Sequence, residues 1–165
     1  MPPFLQESSL FASALDQLKG KRVVVLGHRR PDGDCVGSQV ALTRVLRVHG
    51  IDARAVNEDP VPRTLRSFVG DTPFLAPADL SGDDFVAVTV DCADHRRVGE
   101  SLCGRFPDVF LNVDHHVSND RYAELNLVLA EAAATGEILA KFFLDSGYGL
   151  DSVTAEALYL GICTD

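Results

Sequence analysis

Three short apolar runs constrain the fold of this chain more than any other feature, because each is followed at once by acidic or histidine residues. The run VVVL (23–26) is followed by GHRRPDGD, FVAVTV (85–90) by DCAD, and VFLNV (109–113) by DHH. Short continuous apolar runs are typical of strands buried on both faces, as in parallel sheets. The sequence therefore predicts parallel strands whose carboxyl ends carry the polar residues.

Segments with helical spacing of apolar residues alternate with the predicted strands. Helices are predicted over 4–18, 34–49, 136–146 and 153–162, and strands over 23–26, 51–56, 85–90, 109–113 and 122–129. Residues 57–62 are predicted as loop and 73–84 as a turn-rich section, and Thr135 is a candidate N-cap. This alternation predicts an α/β fold, a mostly parallel sheet with helices on both faces.

Composition limits the class of protein. The chain has 165 residues, about one domain, and a net charge of −9, which argues against a generally basic surface that coats nucleic acid. It contains no apolar run of membrane-spanning length, and its first residues, MPPFLQESSL, lack the basic start and apolar centre expected of a signal peptide. The four cysteines form no CxxC and indicate reduced thiols in the cytoplasm. The acidic excess is either solvated surface or part of a cation site.

The polar residues after the strands are predicted to converge, because the carboxyl ends of parallel strands lie on one edge of a sheet. Crowded carboxylates repel one another, and a divalent cation resolves that repulsion. Mixed histidine and aspartate ligands suit Mn²⁺, Zn²⁺, Fe²⁺ or Co²⁺ better than Ca²⁺. The candidates are His28, Asp32, Asp34, Asp91, Asp114, His115 and His116.

Each cluster also has an ordinary structural interpretation. Pro31-Asp32-Gly33 is a good turn sequence, and Asp91 alone fits a helix cap or a strand-end acid. The two histidines 115–116 alone fit a core histidine beside a surface neighbour, and His49 and His95 are interpreted as surface residues. The occurrence of three such clusters at strand ends favours a metal site.

Four segments together resemble the motifs of the DHH phosphoesterase family. They are GHRRPDGDCVGSQVAL (27–42), VDCAD (90–94), NVDHHVSN (112–119) and GICTD (161–165), in the family's order. PDGDCVGSQVAL, DHHVSN and AAATGEIL are most similar to the bacterial nanoRNase/pAp-phosphatase branch. RecJ exonucleases and family II inorganic pyrophosphatases resemble the chain at the site, but less in these flanking residues.

The resemblance implies two cations, most often Mn²⁺ in this family. His28, Asp32 and Asp91 would hold the first cation. The second would be held by Asp34, Asp91, His115 and Asp165, with Asp91 bridging the two.

The resemblance also implies roles around the cations. Asp114 would orient a neighbouring histidine, so Asp114, His115 and His116 are the catalytic candidates. His116 would contact the scissile phosphate or the leaving group. Arg96 and Arg97 would bind a substrate phosphate, although solvated surface arginines are an equally good interpretation.

The activity implied is hydrolysis of short single-stranded oligoribonucleotides to nucleoside 5′-monophosphates, or of 3′-phosphoadenosine 5′-phosphate to AMP. Alternatives are a cyclic-dinucleotide phosphodiesterase, an inorganic pyrophosphatase, or a non-catalytic DHH-like scaffold. A generic nucleotide binder is disfavoured because GxGxxG and GxxxxGK[ST] are absent. We expect residues 1–165 to be a RecJ-like N-terminal catalytic domain without the DHHA1 substrate-binding domain. A homodimer is compatible with this, and a membrane partner is not expected.

Overall fold

The computed structural model describes residues 4–165 and contains one six-stranded sheet in which every strand pair is parallel. The strands are β1 (Arg22–Leu26), β2 (Asp52–Val56), β3 (Phe74–Leu75), β4 (Val86–Val90), β5 (Leu111–Asp114) and β6 (Leu125–Val128). Their spatial order is β3-β2-β1-β4-β5-β6. The predicted α/β class with a parallel sheet is therefore confirmed.

Five α-helices connect and cover the strands in the described part of the chain. They are α1 (Leu5–Gln17), α2 (Gly33–Val48), α3 (Glu100–Arg105), α4 (Thr135–Asp145) and α5 (Ser152–Thr164). Short 3₁₀ segments lie at Arg63–Phe68, Pro77–Asp79 and His95–Val98. None of the helices over residues 4–165 is long and apolar enough to cross a bilayer.

The two faces of the sheet are covered unequally. Side chains of α1, α2, α4 and α5 pack in one large core with alternate residues of the strands, such as Val23 and Val25. Val24 and Leu26 point to the opposite face, where α3 and the surrounding loops form a smaller core. This alternation follows the two-residue period of a strand and leaves β1 buried on both faces.

Sequence patterns located the long elements but missed the small ones. Residues 73–84, predicted as turns, contain the two-residue edge strand β3, which is too short to show a period. The N-cap prediction for Thr135 was wrong. Ala134 is the cap residue and makes no side-chain cap bond, while Thr135 is the first residue of α4.

The strand order reverses between β1 and β4, which are neighbours in the sheet but not in sequence. Ligands of open α/β sheets bind beyond the carboxyl ends of the strands at such a point. Asp91, directly after β4, has a left-handed backbone with φ 53°. Such a conformation is uncommon outside glycine, although aspartate and asparagine tolerate it better than most residues, and it aims the Asp91 side chain into this crevice.

Candidate metal centre at the switch point of the sheet

His28 lies just beyond β1 with its ring orientation fixed. Its Nδ1 lies 2.8 Å from the carbonyl oxygen of Arg29, which can only accept a hydrogen bond. Nδ1 therefore carries the proton in the neutral ring, and Nε2 offers a lone pair toward the crevice. That Nε2 lies 3.5 Å from Asp32 Oδ2 and 3.5 Å from Asp91 Oδ2.

Asp32 serves both as a helix cap and as part of this cluster. Its Oδ1 accepts a hydrogen bond from the backbone N–H of Cys35 at 3.0 Å and so caps α2. Its Oδ2 faces His28, so the turn interpretation and the ligand interpretation of Asp32 are compatible.

The carboxylate of Asp91 lies among three histidines, and its Oδ1 is 3.7 Å from Nδ1 of His116. Asp91 Oδ2 faces His28, while Asp91 Oδ1 lies 3.7 Å from Nε2 of His115. Thr135 donates a hydrogen bond from its hydroxyl to the same Oδ1 at 3.1 Å. The two oxygens of one buried carboxylate thus face two separate sets of donors, which is compatible with the bridging role predicted for Asp91.

The second set gathers around His115. Its Nε2 lies 3.4 Å from Asp165 Oδ2 and 4.0 Å from Asp34 Oδ2. Asp34 is held at the N-terminus of α4, where its oxygens accept from the backbone N–H groups of Thr135 (2.7 Å) and Gly136 (2.8 Å). The orphan N–H groups and the dipole of a helix start favour an anion there.

These donors fit divalent cations. His115 Nε2 is buried and has no hydrogen-bond partner among the described residues, although three carboxylates lie within 4.0 Å. Asp34 and Asp91 are each 1 % exposed. Burial and the charge of Asp91 raise the pKa of Asp34 to about 7, as expected for like charges crowded without a counterion. Imidazole nitrogen with carboxylate oxygen is a donor set that suits transition metals.

Cys35 lies next to the first set, since His28, Cys35 and Asp91 bring ligand atoms within 4.8 Å of one another. The Cys35 thiol is completely buried, and burial raises its pKa. Metals bind the thiolate form, so this environment disfavours Cys35 as a ligand. The exposed oxygen of Asp32 is the better third donor.

A hydrogen-bonded chain runs through the DHH residues beside this centre. His116 Nδ1 lies 2.7 Å from Asp114 Oδ1, and Asn119 donates to Asp114 Oδ2 at 2.6 Å. Asp114 is fully buried, and its hydrogen bond is the main cause that raises the pKa of His116. The orienting role predicted for Asp114 is thus compatible with its position.

Arg96 and Arg97 lie on the loop after β4, next to the centre. Both are exposed, and Arg96 pairs with Asp94. Neither side chain touches the predicted ligands through a hydrogen bond or ion pair within residues 4–165. Their role in binding substrate stays a prediction.

Sequence reasoning missed the residues that hold the predicted ligands. Thr135 binds Asp91, Ser38 binds Asp34 at 3.2 Å, and Asn119 binds Asp114. The only indication of them in the sequence was that they lie in the flanking segments AAATGEIL, GSQVAL and DHHVSN. His95 was predicted to be a surface residue, but it is half-buried and its ring stacks on Tyr122 with centroids 5.3 Å apart.

Comparison with known proteins agrees with this geometry. The family model described as "DHH family, N-terminal domain" matches residues 22–162, which is most of the chain. The match contains the three strand ends that build the centre.

Two curated relatives are informative. The chain is 30% identical over 165 residues, 99% of its length and 49% of the relative's, to "Bifunctional oligoribonuclease and PAP phosphatase NrnA" of Thermus thermophilus. It is 28% identical over 153 residues, 87% of its length and 48% of the relative's, to a "Probable manganese-dependent inorganic pyrophosphatase" of Streptococcus mutans. The chain thus spans about half the length of these relatives.

Among solved structures, an exopolyphosphatase-related protein from Bacteroides fragilis superposes with a TM-score of 0.79 at 18% identity. The superposition covers 95% of this chain and 49% of the other. At this identity the likeness concerns the fold, and it supports the parallel sheet and its helical layers.

Proposed function

The chain belongs to the DHH family, and on that premise we propose that it forms the catalytic domain of a two-cation phosphoesterase. Its proposed substrates are short oligoribonucleotides, cleaved to nucleoside 5′-monophosphates, and 3′-phosphoadenosine 5′-phosphate, cleaved to AMP. The predicted organisation, in which a DHHA1 domain would complete the substrate site, stays a prediction.

One observation carries the proposal: the two oxygens of the Asp91 carboxylate face different histidines, at 3.5 Å and 3.7 Å. A carboxylate shared in this way suits two neighbouring cations. We assign His28, Asp32 and Asp91 to one cation. The other is assigned to Asp34, Asp91, His115 and Asp165.

Bound divalent cations would supply an activated water and neutralise charge on the phosphate. The residues of the chain hold and orient the reacting groups. His28 presents Nε2 because Arg29 fixes its tautomer, and Asp34 is fixed by the start of α4. The hydrogen bond to Asp114 raises the pKa of His116, which favours its protonated form, and its Nε2 is the atom that would donate to a phosphate or leaving oxygen.

The substrate class rests on the relatives. The Thermus relative is named as an oligoribonuclease and PAP phosphatase, and the NrnA name recurs for relatives at 26–30% identity. The Streptococcus pyrophosphatase keeps a second candidate function open, hydrolysis of pyrophosphate by the same centre. Both candidate activities need the same cations, and they differ in the substrate that binds next to those cations.

The test is hydrolysis by the natural full-length protein. We expect turnover of a labelled RNA trimer and of 3′-phosphoadenosine 5′-phosphate with Mn²⁺, and loss of that turnover with excess EDTA. Pyrophosphate and a cyclic dinucleotide serve as competing substrates, each assayed with Mn²⁺, Mg²⁺ and Zn²⁺ because affinity alone does not select Mn²⁺.

The outcomes separate the candidates. Faster turnover of pyrophosphate or of the cyclic dinucleotide would replace the proposed substrate class but keep the two-cation centre. Cations that fail to raise the melting temperature, together with no turnover, would leave a non-catalytic scaffold. At a cation concentration 100 times the dissociation constant, one bound ion stabilises the fold by about 2.7 kcal/mol.

Replacing Thr135 by Val should weaken cation binding by roughly 10- to 100-fold, the usual effect of removing a residue that orients a ligand. Valine keeps the shape of threonine but cannot donate to Asp91. The measurement is a Mn²⁺ titration followed by calorimetry and by melting temperature.

Thr43→Val is the matched control. The Thr43 hydroxyl is buried in α2 and has no hydrogen-bond partner in the described chain, so its removal should leave cation affinity unchanged and should not destabilise the fold. Equal affinities for Thr135→Val and the unmodified protein would show that Thr135 does not position Asp91.

A further inference from the structure

Four arginines line a cleft at the edge of the sheet that carries the candidate metal centre. Arg29, Arg30, Arg96 and Arg97, together with Asp94, surround a volume of about 470 Å³. The chain has only 15 basic residues against 24 acidic ones. Four arginines in one cleft therefore contrast with the net negative charge of the chain as a whole. The sequence analysis had singled out only Arg96 and Arg97.

The backbone joins the two segments that supply these arginines. The N–H of Arg29 donates to the carbonyl of Arg97 at 2.7 Å. The N–H of Arg30 donates to Asp59 Oδ2 at 2.8 Å, and Arg30 has a left-handed backbone with φ 54°. Asp94 caps the 3₁₀ segment of Arg96 and Arg97 by accepting from the N–H of Arg96 at 2.9 Å. The cleft is thus fixed by hydrogen bonds from main-chain N–H groups, two of them to aspartate carboxylates, rather than by the guanidinium groups.

The guanidinium groups themselves are largely uncommitted. Arg96 pairs with Asp94. Over residues 4–165, no hydrogen bond or ion pair engages the guanidinium group of Arg29, Arg30 or Arg97. Arg44 and Arg105, by contrast, are each paired with an aspartate. Three exposed guanidinium groups facing one cleft are available for an external anion.

The cleft adjoins the candidate metal centre directly. Arg29 follows His28, and its carbonyl fixes the His28 ring. Arg97 follows β4, and its carbonyl accepts from the N–H of Arg29. Loops from the ends of β1 and β4 therefore build both sites.

Phosphate is the ligand chemistry that fits. Guanidinium groups bind phosphate oxygens through paired, charge-assisted hydrogen bonds, and arginine is preferred where such planar contacts matter. The phosphate that reacts would bind at the cations. An arginine cleft beside the cations therefore suits a different phosphate of the same substrate molecule.

We propose that this arginine cleft binds a second, non-reacting phosphate of the substrate, so that the protein prefers substrates with two phosphate groups to those with one. This inference rests on the proposed function. The second phosphate is either a terminal 5′-phosphate or an internucleotide phosphate, and the chemistry of recognition is the same for both.

The test compares dinucleotides and a trinucleotide that differ by one phosphate. ApA has only the scissile phosphate, pApA adds a terminal phosphate, and ApApA adds an internucleotide one. We expect kcat/KM to be higher for pApA, for ApApA or for both than for ApA. Whichever of the two has the higher kcat/KM shows whether the second phosphate is the terminal or the internucleotide one.

The variant is Arg30→Gln combined with Arg97→Gln, which removes two charges and keeps much of each side-chain stem. The ratio of kcat/KM for the preferred two-phosphate substrate to that for ApA should fall roughly 10-fold or more. Arg63→Gln is the matched control, because Arg63 is exposed and does not line the cleft, and it should leave the ratio unchanged.

A binding measurement separates this inference from the proposed function. In EDTA, 3′-phosphoadenosine 5′-phosphate should bind the unmodified protein more tightly than the double variant, with an affinity that falls as salt is added. Tighter binding by the unmodified protein than by the double variant, without any turnover, would mean that the cleft is real and the phosphoesterase proposal wrong. Turnover with an unchanged ratio and unchanged binding in the variant would overturn the cleft and leave the phosphoesterase.

Discussion

Replacing Asp91 by Asn is expected to remove cation binding from both halves of the centre and to lower phosphoesterase activity by at least about 1,000-fold. Loss of charge stabilisation at the phosphate by several kcal/mol accounts for a factor of this size. The effect should be this large because Asp91 alone offers one oxygen toward His28 and the other toward His115.

Asparagine is the informative replacement for two structural reasons. Asp91 has a left-handed backbone, with φ 53°, and asparagine tolerates that conformation far better than alanine does. Asparagine can also still accept the hydrogen bond from Thr135 through its side-chain oxygen. The substitution therefore removes the charge and one metal-binding oxygen with little change in local structure.

The stability of the cation-free protein should respond in the opposite direction. Asp34 and Asp91 repel one another in a buried site, which is one cause of the raised pKa of Asp34. Without cations, Asp91→Asn should therefore be at least as stable as the unmodified protein. With Mn²⁺, the unmodified protein should gain melting temperature and the variant should not.

Asp84→Asn is the control for this experiment. Asp84 lies just before β4, is exposed, and makes no side-chain hydrogen bond or ion pair in residues 4–165. It should retain both activity and cation-induced stabilisation. If Asp91→Asn kept the full melting-temperature increase, the bridging assignment of Asp91 would be incorrect.

The sequence could predict that these polar residues converge, because they are concentrated at strand ends. His28, Asp91 and His115 each lie within two residues of the end of a strand, and parallel pairing brings these ends together. Resemblance to the family added the pairing of ligands with cations, which periodicity cannot supply. The convergence of these residues thus follows from the topology of the sheet and from a few residue types at strand ends.

The hydrogen bonds that hold the candidate ligands could not be predicted in the same way, because they depend on how the helices and strands approach one another. Thr135 looked like a helix cap, since serine and threonine are common there, but its hydroxyl reaches Asp91 across 44 residues of chain. Asp34 occupies the start of α4 instead, although it belongs to α2. Neither contact leaves a period or a spacing in the sequence.

Close packing of α2 against α5 is another feature that only the structure reveals. A Cβ at Gly37 would lie 2.2 Å from the backbone oxygen of Ala157, and one at Gly161 would lie 2.6 Å from Asp34 Oδ1. The approach matters for the centre because α2 carries Asp34 and α5 leads to Asp165.

Gly37→Ala is therefore expected to destabilise the fold by about 3 kcal/mol, the upper part of the usual range for overpacking. The added methyl group meets backbone, which no side-chain rotation can relieve. In a chain of this size we expect a fall in melting temperature of roughly 6–12 °C. Denaturant unfolding in EDTA measures this loss without any contribution from cations.

The matched control is Gly104→Ala in α3, where a Cβ would meet no atom within 4 Å. Alanine is favoured over glycine in a helix by about 1 kcal/mol, so this substitution should be neutral or slightly stabilising. Gly37→Ala should also weaken Mn²⁺ binding, because moving α5 away from α2 separates Asp165 from Asp34 and His115. Equal stability of the two variants would mean that α2 and α5 can separate freely, and the half of the centre around His115 would then not depend on their close packing.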